Sequence, residues 1–238
     1  MPFAHDNPNN TPSVVEILGP AGSGKTTLLH ALTQRRQRIV ANVKVDRSHC
    51  LPFLIRNVTV RWPGFLRQYR HGRWFAWSET RSMVYLEAWH RHLRQHRPGR
   101  CDWNNGRVTV FDHGPLFRLA QLQAFGPSLT RCATYARWQE EMLRRWMSTL
   151  DVVLYLDAPN EVLSERIDAR NTRHRIKGHS ADEVHDFLGQ YRMSFEEVLR
   201  RFAATEHSKV LRFNTAREPV SQLADHALAA LGFPAEES

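Results

Sequence analysis

The chain has 238 residues, 42% of them apolar and seven of them tryptophan, enough to build the core of one α/β domain with an inserted segment. No run of about 18 apolar residues occurs, which excludes a membrane-spanning helix. The net charge of +9 admits a nucleic acid or a polyanionic small substrate as partner, and arginines spread along the chain, without a basic tail, favour the small substrate.

The opening stretch MPFAHDNPNNTPS carries neither the basic nor the apolar part of a secretory signal, so residues 1–12 read as a flexible lead-in and 13–233 as a single domain. Val14 to Leu18 read as a short buried strand. Lys25 to Leu32 begin a helix with Leu28, Leu29 and Leu32 on one face. Between them Gly19, Gly24, Lys25 and Thr26 satisfy G-x-x-x-x-G-K-[ST] in the strand–loop–helix setting that this motif requires, and Thr27 follows. Glycines there let backbone N–H groups curl around an anion while the positive end of the helix points at it. The Lys25 ammonium is expected over the β- and γ-phosphates of a nucleotide, and the Thr26 hydroxyl on Mg²⁺.

RIVANVKV (Arg38 to Val45) reads as a second strand, and Asp46 to Trp77 as an irregular segment in which aromatics from Pro52 onward could wall an acceptor pocket. SETRSMVYLEAWHRHLRQH is a helix with Ser78 as N-cap, Met83, Leu86, Trp89 and Leu93 on one face, and Pro98-Gly99 as its end. His92 and His96 have metal-ligand spacing, but interleaved arginines make this a solvated basic face instead. The turn at Asn104 to Gly106 leads into the strand RVTVFD, which ends in Asp112. A carboxylate beyond the end of such a strand suits Mg²⁺ or an attacking hydroxyl, and the bland alternative is a cap for the next helix.

Helices follow after Gly114-Pro115 and over Thr130 to Ser148, then the buried strand DVVLYLDA, whose Asp157 is expected to cap the next helix. In Asn160 to Ala169 and beyond, Arg166 and Arg170 fall one helical turn apart, and Arg173, Arg175 and Lys177 follow in a segment able to close over phosphates. A long helix near Ala181 to Ala204, the strand KVLRFNT and a last helix complete an alternation that implies a doubly wound parallel sheet. Cys50, Cys101 and Cys132 are odd in number and far apart, which suits a reducing, cytoplasmic setting and makes no metal signature.

The phosphate-binding loop, Asp112, YLDAPNEVLSERIDAR and the basic segment, in that order, resemble the P-loop nucleoside and nucleotide kinases, the thymidylate kinase branch most closely, over most of Val14 to Phe213. The resemblance implies a three-layer α/β/α fold with a five-stranded parallel sheet of order 2-3-1-4-5, a lid over about 166–180 and an acceptor side over about 46–97. It also implies ATP and Mg²⁺ as cofactors. Gly19, Ala21, Gly22, Ser23, Gly24, Lys25, Thr26 and Thr27 would bind the ATP phosphates together with Arg166, and Arg166, Arg170 and their neighbours would form the lid. WFAWSETRSMVYLEAW is similar to the thymidylate kinase helix whose arginine meets the acceptor, which maps that role onto Arg81. Asp112-His113-Gly114 stands where that branch has Asp-Arg-aromatic, which puts His113 on the acceptor side, and no Arg-Glu-Pro follows the second strand. Both departures speak against thymidylate as the substrate.

The expected chemistry is Mg²⁺-dependent transfer of the ATP γ-phosphoryl to a small acceptor: a nucleoside, a nucleotide or a similar metabolite. Lys25 would neutralise the transferred group, Thr26 and Asp112 would hold the metal, Asp112 would also orient the acceptor, and Arg170, Arg173 and Arg175 would supply charge from the lid. Two rival readings are a polynucleotide-directed enzyme, such as a 5′-hydroxyl kinase or a nucleic-acid-stimulated NTPase, and a nucleotide-dependent switch ATPase with water as the acceptor. Any oligomeric state, a dimer included, is compatible with these motifs.

Overall fold

The computed structural model describes residues 14–43, 45–57, 77–95, 107–126, 133–170, 176–205 and 208–233. Short apolar stretches pair side by side as five parallel strands: β1 (Val14–Leu18), β2 (Ile39–Ala41), β3 (Val108–Asp112), β4 (Val152–Asp157) and β5 (Lys209–Asn214). Their order is β2-β3-β1-β4-β5, as the sequence resemblance implies. Ile17 lies opposite Asp112 in the β1–β3 register, and Leu18 opposite Tyr155 in the β1–β4 register. Strands covered on both faces must be largely apolar on both, which is why Val152–Leu156 of β4 reads as an unbroken apolar run and β1 departs from one only at Glu16.

The connecting helices are α1 (Lys25–Arg35), α2 (Arg47–Arg56), α3 (Trp77–Gln95), α4 (Pro115–Phe125), α5 (Ala133–Met147), α6 (Asn160–Asp168), α7 (Ala181–Ala203) and α8 (Val220–Ala230). Strand side chains alternate between two cores. Val15, Ile17, Val110 and Leu154 meet Leu28, Leu29 and Leu32 of α1 and Leu223 and Ala227 of α8. Val14, Leu18, Phe111 and Tyr155 point the other way, into an aromatic core with Trp89 of α3, Leu116 and Phe117 of α4, Trp146 of α5 and Phe195 of α7. A smaller cluster joins Leu163 and Ile167 of α6 to Val184 and Leu188 of α7. The start of α7 is fixed by a capping box, in which Ser180 Oγ accepts from the Glu183 N–H and the Glu183 carboxylate accepts from the Ser180 N–H.

Several local expectations change. The second strand spans three residues rather than eight, because Asn42 adopts φ 56 and turns the chain away from the ladder. Within the segment expected to be irregular, α2 forms in spite of Pro52; Arg56 reaches the buried Glu87 of α3 at 2.6 Å, so packing on α3 overrides local propensity. α3 begins at Trp77, which places Ser78 in its first turn rather than at its cap. α6 stops at Asp168, so Arg170 follows the helix instead of sharing a face with Arg166. The expected turns at Pro98-Gly99 and Asn104 to Gly106, with His96, Cys101 and Cys132, lie outside the described residues. No helix among the described residues is long and apolar enough to cross a membrane.

Candidate active site

β1 and β3 are neighbours, but the helices that follow them leave on opposite faces, α1 into one core and α4 into the other. A crevice opens where two such connections part, beyond the carboxyl ends of the strands. The loop from Gly19 to Gly24 occupies it. Gly19, at φ +151, would place a Cβ 2.1 Å from the Leu156 carbonyl oxygen, and Gly22, at φ +83, would place one 2.7 Å from that of Leu163. Only glycine fits either position, so the loop is pressed against the end of β4 and the first turns of α6. Gly24 caps α1 without a side chain, which leaves the first helical N–H groups facing the loop's concavity.

Lys25 is buried, and its Nζ donates to the carbonyl oxygens of Gly19 and Pro20, each at 2.8 Å. The ammonium also lies 5.5 Å from the Phe117 ring centroid. Burial pushes its pKa down to about 8; the Asp112 carboxylate works against this and the Arg170 guanidinium works with it. Next in the chain, Thr26 Oγ1 donates to Asp112 Oδ2 at 2.6 Å, so the phosphate loop and the end of β3 are joined across the crevice. The Asp112 backbone N–H is held in turn by Asn42 Oδ1 at 3.0 Å. The His113 ring nitrogen Nδ1 lies 3.0 Å from Asp112 Oδ1, yet that oxygen accepts no directed hydrogen bond and is buried. Burial alone would raise the Asp112 carboxyl, but His113, the Thr26 hydroxyl and Lys25 outweigh it and hold it below the ordinary value.

The Thr26 hydroxyl and the Asp112 carboxylate, whose buried Oδ1 accepts no directed hydrogen bond, are hard oxygen donors side by side. They fit a Mg²⁺ ion, which prefers such ligands and retains several waters of its own. Among the described residues no group of three or more His, Cys, Asp or Glu side chains gathers as an all-protein metal cage.

His113 stands at φ 58, a left-handed conformation that costs a non-glycine residue about 1–2 kcal/mol. Its ring sits edge-on against Phe117, 4.6 Å between centroids. Below it is a cavity of about 300 Å³ lined by Lys25, His113, Phe117, Arg118, Gln121 and Tyr191. Gln121 Nε2 donates to the Tyr191 hydroxyl at 3.3 Å, which closes the far side between α4 and α7. This pocket is thus walled by α4 and α7. Pro52 and Phe53 line a separate cavity of about 230 Å³ against α3, and the rest of the aromatic segment expected to wall the acceptor pocket, residues 58–76, lies outside the described residues.

Arg166 spans the loop and the end of the sheet: it donates to Thr215 Oγ1 and to the Thr215 carbonyl oxygen, each at 2.9 Å, and to the Gly22 carbonyl oxygen at 3.4 Å. Arg170 is exposed on the Lys25 side, while Arg173 and Arg175 lie outside the described residues. Arg81 is exposed on α3, 5.9 Å from the Tyr85 ring. Asp157 is no helix cap. Its two oxygens take the Arg192 guanidinium at 2.8 and 3.0 Å, which ties α7 to the end of β4.

Glu16 escapes the sequence reading, although a carboxylate amid the apolar residues of β1 is a visible signal. It is fully buried and accepts from the backbone N–H groups of Leu116 and Phe117, both at 2.8 Å. Burial raises its pKa to about 8 against the pull of those two N–H groups. Nothing local marks Phe117, Arg118, Gln121 or Tyr191; their meeting is a product of the fold.

A glycine-rich phosphate loop set between the first strand and helix of a parallel sheet of this order defines a P-loop α/β/α protein. Solved structures share that fold. Deoxyadenosine kinase from M. mycoides, seen with dCMP and a flexible dCDP bound, superposes with a TM-score of 0.53 at 14% identity, over 92% of this chain and 98% of its own. The same enzyme with dCTP bound gives 0.52 at 13% identity, with the same shares covered. The YorR protein of Bacillus subtilis, in complex with phosphorylated GDP, gives 0.50 at 12% identity over 92% and 96%. No protein-family model and no curated protein sequence matches the chain.

Proposed function

We propose that this protein is a P-loop phosphotransferase that moves the γ-phosphoryl of ATP, with Mg²⁺, to a small acceptor of the nucleoside, nucleotide or related metabolite class. The observation that carries the reading is the 2.6 Å bond from Thr26 to Asp112 beside the buried Lys25, next to a pocket that both Lys25 and His113 line. The resident metal would be held by Thr26 and Asp112, directly or through water, and would offset charge on the β- and γ-phosphate oxygens. The loop N–H groups from Gly19 to Thr27 bind the phosphates, and Lys25 leaves its carbonyl partners to reach the transferred group.

An acceptor oxygen in the pocket attacks the γ-phosphorus while the bond to the β–γ bridging oxygen breaks, and ADP leaves with that electron pair. When the acceptor is a hydroxyl, its proton passes to Asp112, whose neighbour His113 lines the pocket. Arg170, with Arg173 and Arg175, adds positive charge over the phosphates, and His113 and Arg81 face the acceptor. The deoxynucleoside chemistry of the M. mycoides enzyme and its shared fold support an acceptor of this kind. A cytoplasmic setting belongs to the same proposal, in keeping with Cys50 standing free.

The test is transfer of label from γ-labelled ATP to a panel of nucleosides, nucleoside monophosphates, sugars and oligonucleotides. A labelled small-molecule product is the expected outcome. ATP consumption with label only in inorganic phosphate would overturn the kinase reading in favour of a switch ATPase.

A further inference from the structure

Arg118 adds a second cation to a pocket that Lys25 already lines, more positive charge than a neutral acceptor calls for. Arg118, on α4, lines the cavity with its guanidinium stacked 5.1 Å from the Trp89 ring. Its Nε is buried and has no hydrogen-bond partner, and its Nη1 reaches Ser82 Oγ only at 3.4 Å. Arg81 lies one residue before Ser82, with its guanidinium 5.9 Å from the Tyr85 ring. Tyr85 and Trp89 are themselves stacked at 5.6 Å, one helical turn apart on α3. Two guanidiniums therefore rest on adjacent members of one aromatic stack. A guanidinium held by its face keeps its in-plane N–H donors free, and that planar fork matches the oxygens of a carboxylate or phosphate.

Neither arginine forms an ion pair among the described residues. Burial lowers the pKa of Arg118, and the Arg81 charge lies close enough to lower it further. The carboxyl group that acts on Arg118 is Glu16, whose two oxygens are already taken by the Leu116 and Phe117 N–H groups and whose burial raises its pKa to about 8. Two like charges, one of them half-buried with an orphaned donor, are unfavourable unless an anion arrives to pair them.

We infer that the phosphate acceptor is an anion, and that Arg118, which lines the pocket walled by α4 and α7, binds its carboxylate or phosphate oxygens, with Arg81 on the neighbouring α3 adding positive charge beside it. The inference rests on the phosphotransferase reading above and adds to it the charge class of the acceptor and Arg118 as a residue that selects it. A nucleoside lacking an anionic group would leave both guanidiniums without a counter-charge and would be rejected.

The experiment compares matched acceptors, each neutral compound against its anionic counterpart: adenosine with AMP, deoxycytidine with dCMP, glucose with gluconate. Labelled ATP reports transfer by the wild type and by Arg118→Gln, Arg118→Lys and Arg81→Gln. The wild type is expected to use an anionic member of at least one pair and not its neutral partner, and the pair that responds separates a phosphate ester from a carboxylate. Arg118→Gln should raise KM for that acceptor roughly ten- to a hundredfold, the loss expected for hydrogen bonds to a charged group. KM for ATP should stay within about twofold. Arg118→Lys should recover part of the loss, because it restores charge without the fork.

Equal use of neutral and anionic partners, or an unchanged acceptor KM in Arg118→Gln, overturns the inference. If Arg118→Gln does not fold, Arg118→Lys and the wild-type preference between partners decide it. If the wild type labels no acceptor at all, the kinase reading falls by itself, and calorimetric binding of AMP, dCMP and gluconate then judges Arg118 separately. Binding weakened tenfold or more in Arg118→Lys or Arg118→Gln supports the anion subsite, and equal or absent binding overturns it.

Discussion

Lys25 keeps its charge while largely buried, with two carbonyl oxygens of its own loop as partners, and under the proposed function a phosphate takes their place. Those carbonyls make the ammonium ready to exchange partners, and burial sets how tightly its proton is held. With the free-enzyme pKa lowered to about 8, the side chain is charged at neutral pH and loses its proton as pH rises through that value. The expected consequence is a fall in kcat/KM for ATP above pH 8, since that ratio reports the free enzyme. Lys25→Arg should move the alkaline limb upward, because guanidinium does not titrate in this range. Lys25→Ala should lower transfer by about a hundredfold or more, the usual loss on removing one main donor to the transition state. A pH–rate profile of the three proteins settles whether Lys25 is the titrating group.

At the scale of elements, the site depends on how firmly β1, β3, α4 and α7 are held to one another. Glu16 clamps the strand that feeds the phosphate loop to the first turn of the helix that carries Phe117 and Arg118, with Gly114 leaving room, since a Cβ there would come 2.8 Å from Glu16 Cδ. Arg192 does the same for α7, through Asp157 and the Ala158 carbonyl oxygen at 2.7 Å. The Glu16 clamp has a pH signature. Its folded pKa of about 8 lies above the ordinary 4.5, so between these values the folded chain holds a proton that the unfolded chain has released. Glu16 therefore favours folding fully below pH 4.5, and that contribution is lost as pH rises to about 8. Glu16→Gln should flatten the fall of Tm with pH across this window, as measured by thermal melts at several pH values; an unchanged slope would show that Glu16 does not ionise there.

For the whole molecule, the net charge of +9 raises the question of whether the partner is a polyanion or a single small anion. Several arginines are spent on the fold itself: Arg35 on Asp225, Arg201 on Glu140, and Arg212 on Glu196, at 2.5 to 2.6 Å. Among the described residues Lys25 and Arg118 line a single pocket of about 300 Å³, and the proposed function assigns it a small ligand. Acceptor KM should therefore change gently with ionic strength. Binding along a nucleic-acid backbone would instead fall with a logarithmic slope of roughly −0.9 for each phosphate neutralised. A KCl titration of acceptor binding distinguishes the two, and a steep slope would favour the polynucleotide reading.

What residue order determined by itself was local. The G-x-x-x-x-G-K-[ST] loop is legible because a phosphate cradle needs particular backbone angles, which few residue types tolerate; the alternation of apolar strands with helices is legible because period and burial repeat along the chain. Asp112 could be picked out by its place at a strand end, and the structure adds the Thr26 hydroxyl that reaches it from 86 residues away. Only the tertiary structure decided the rest. Asp157 faces an arginine 35 residues on instead of capping the adjacent helix, and Gln121 meets Tyr191 across 70 residues at the far side of the pocket that Lys25 lines. Such meetings have no local signature, because their energy comes from the packing of helices on a common sheet, which brings together side chains that the chain itself keeps far apart.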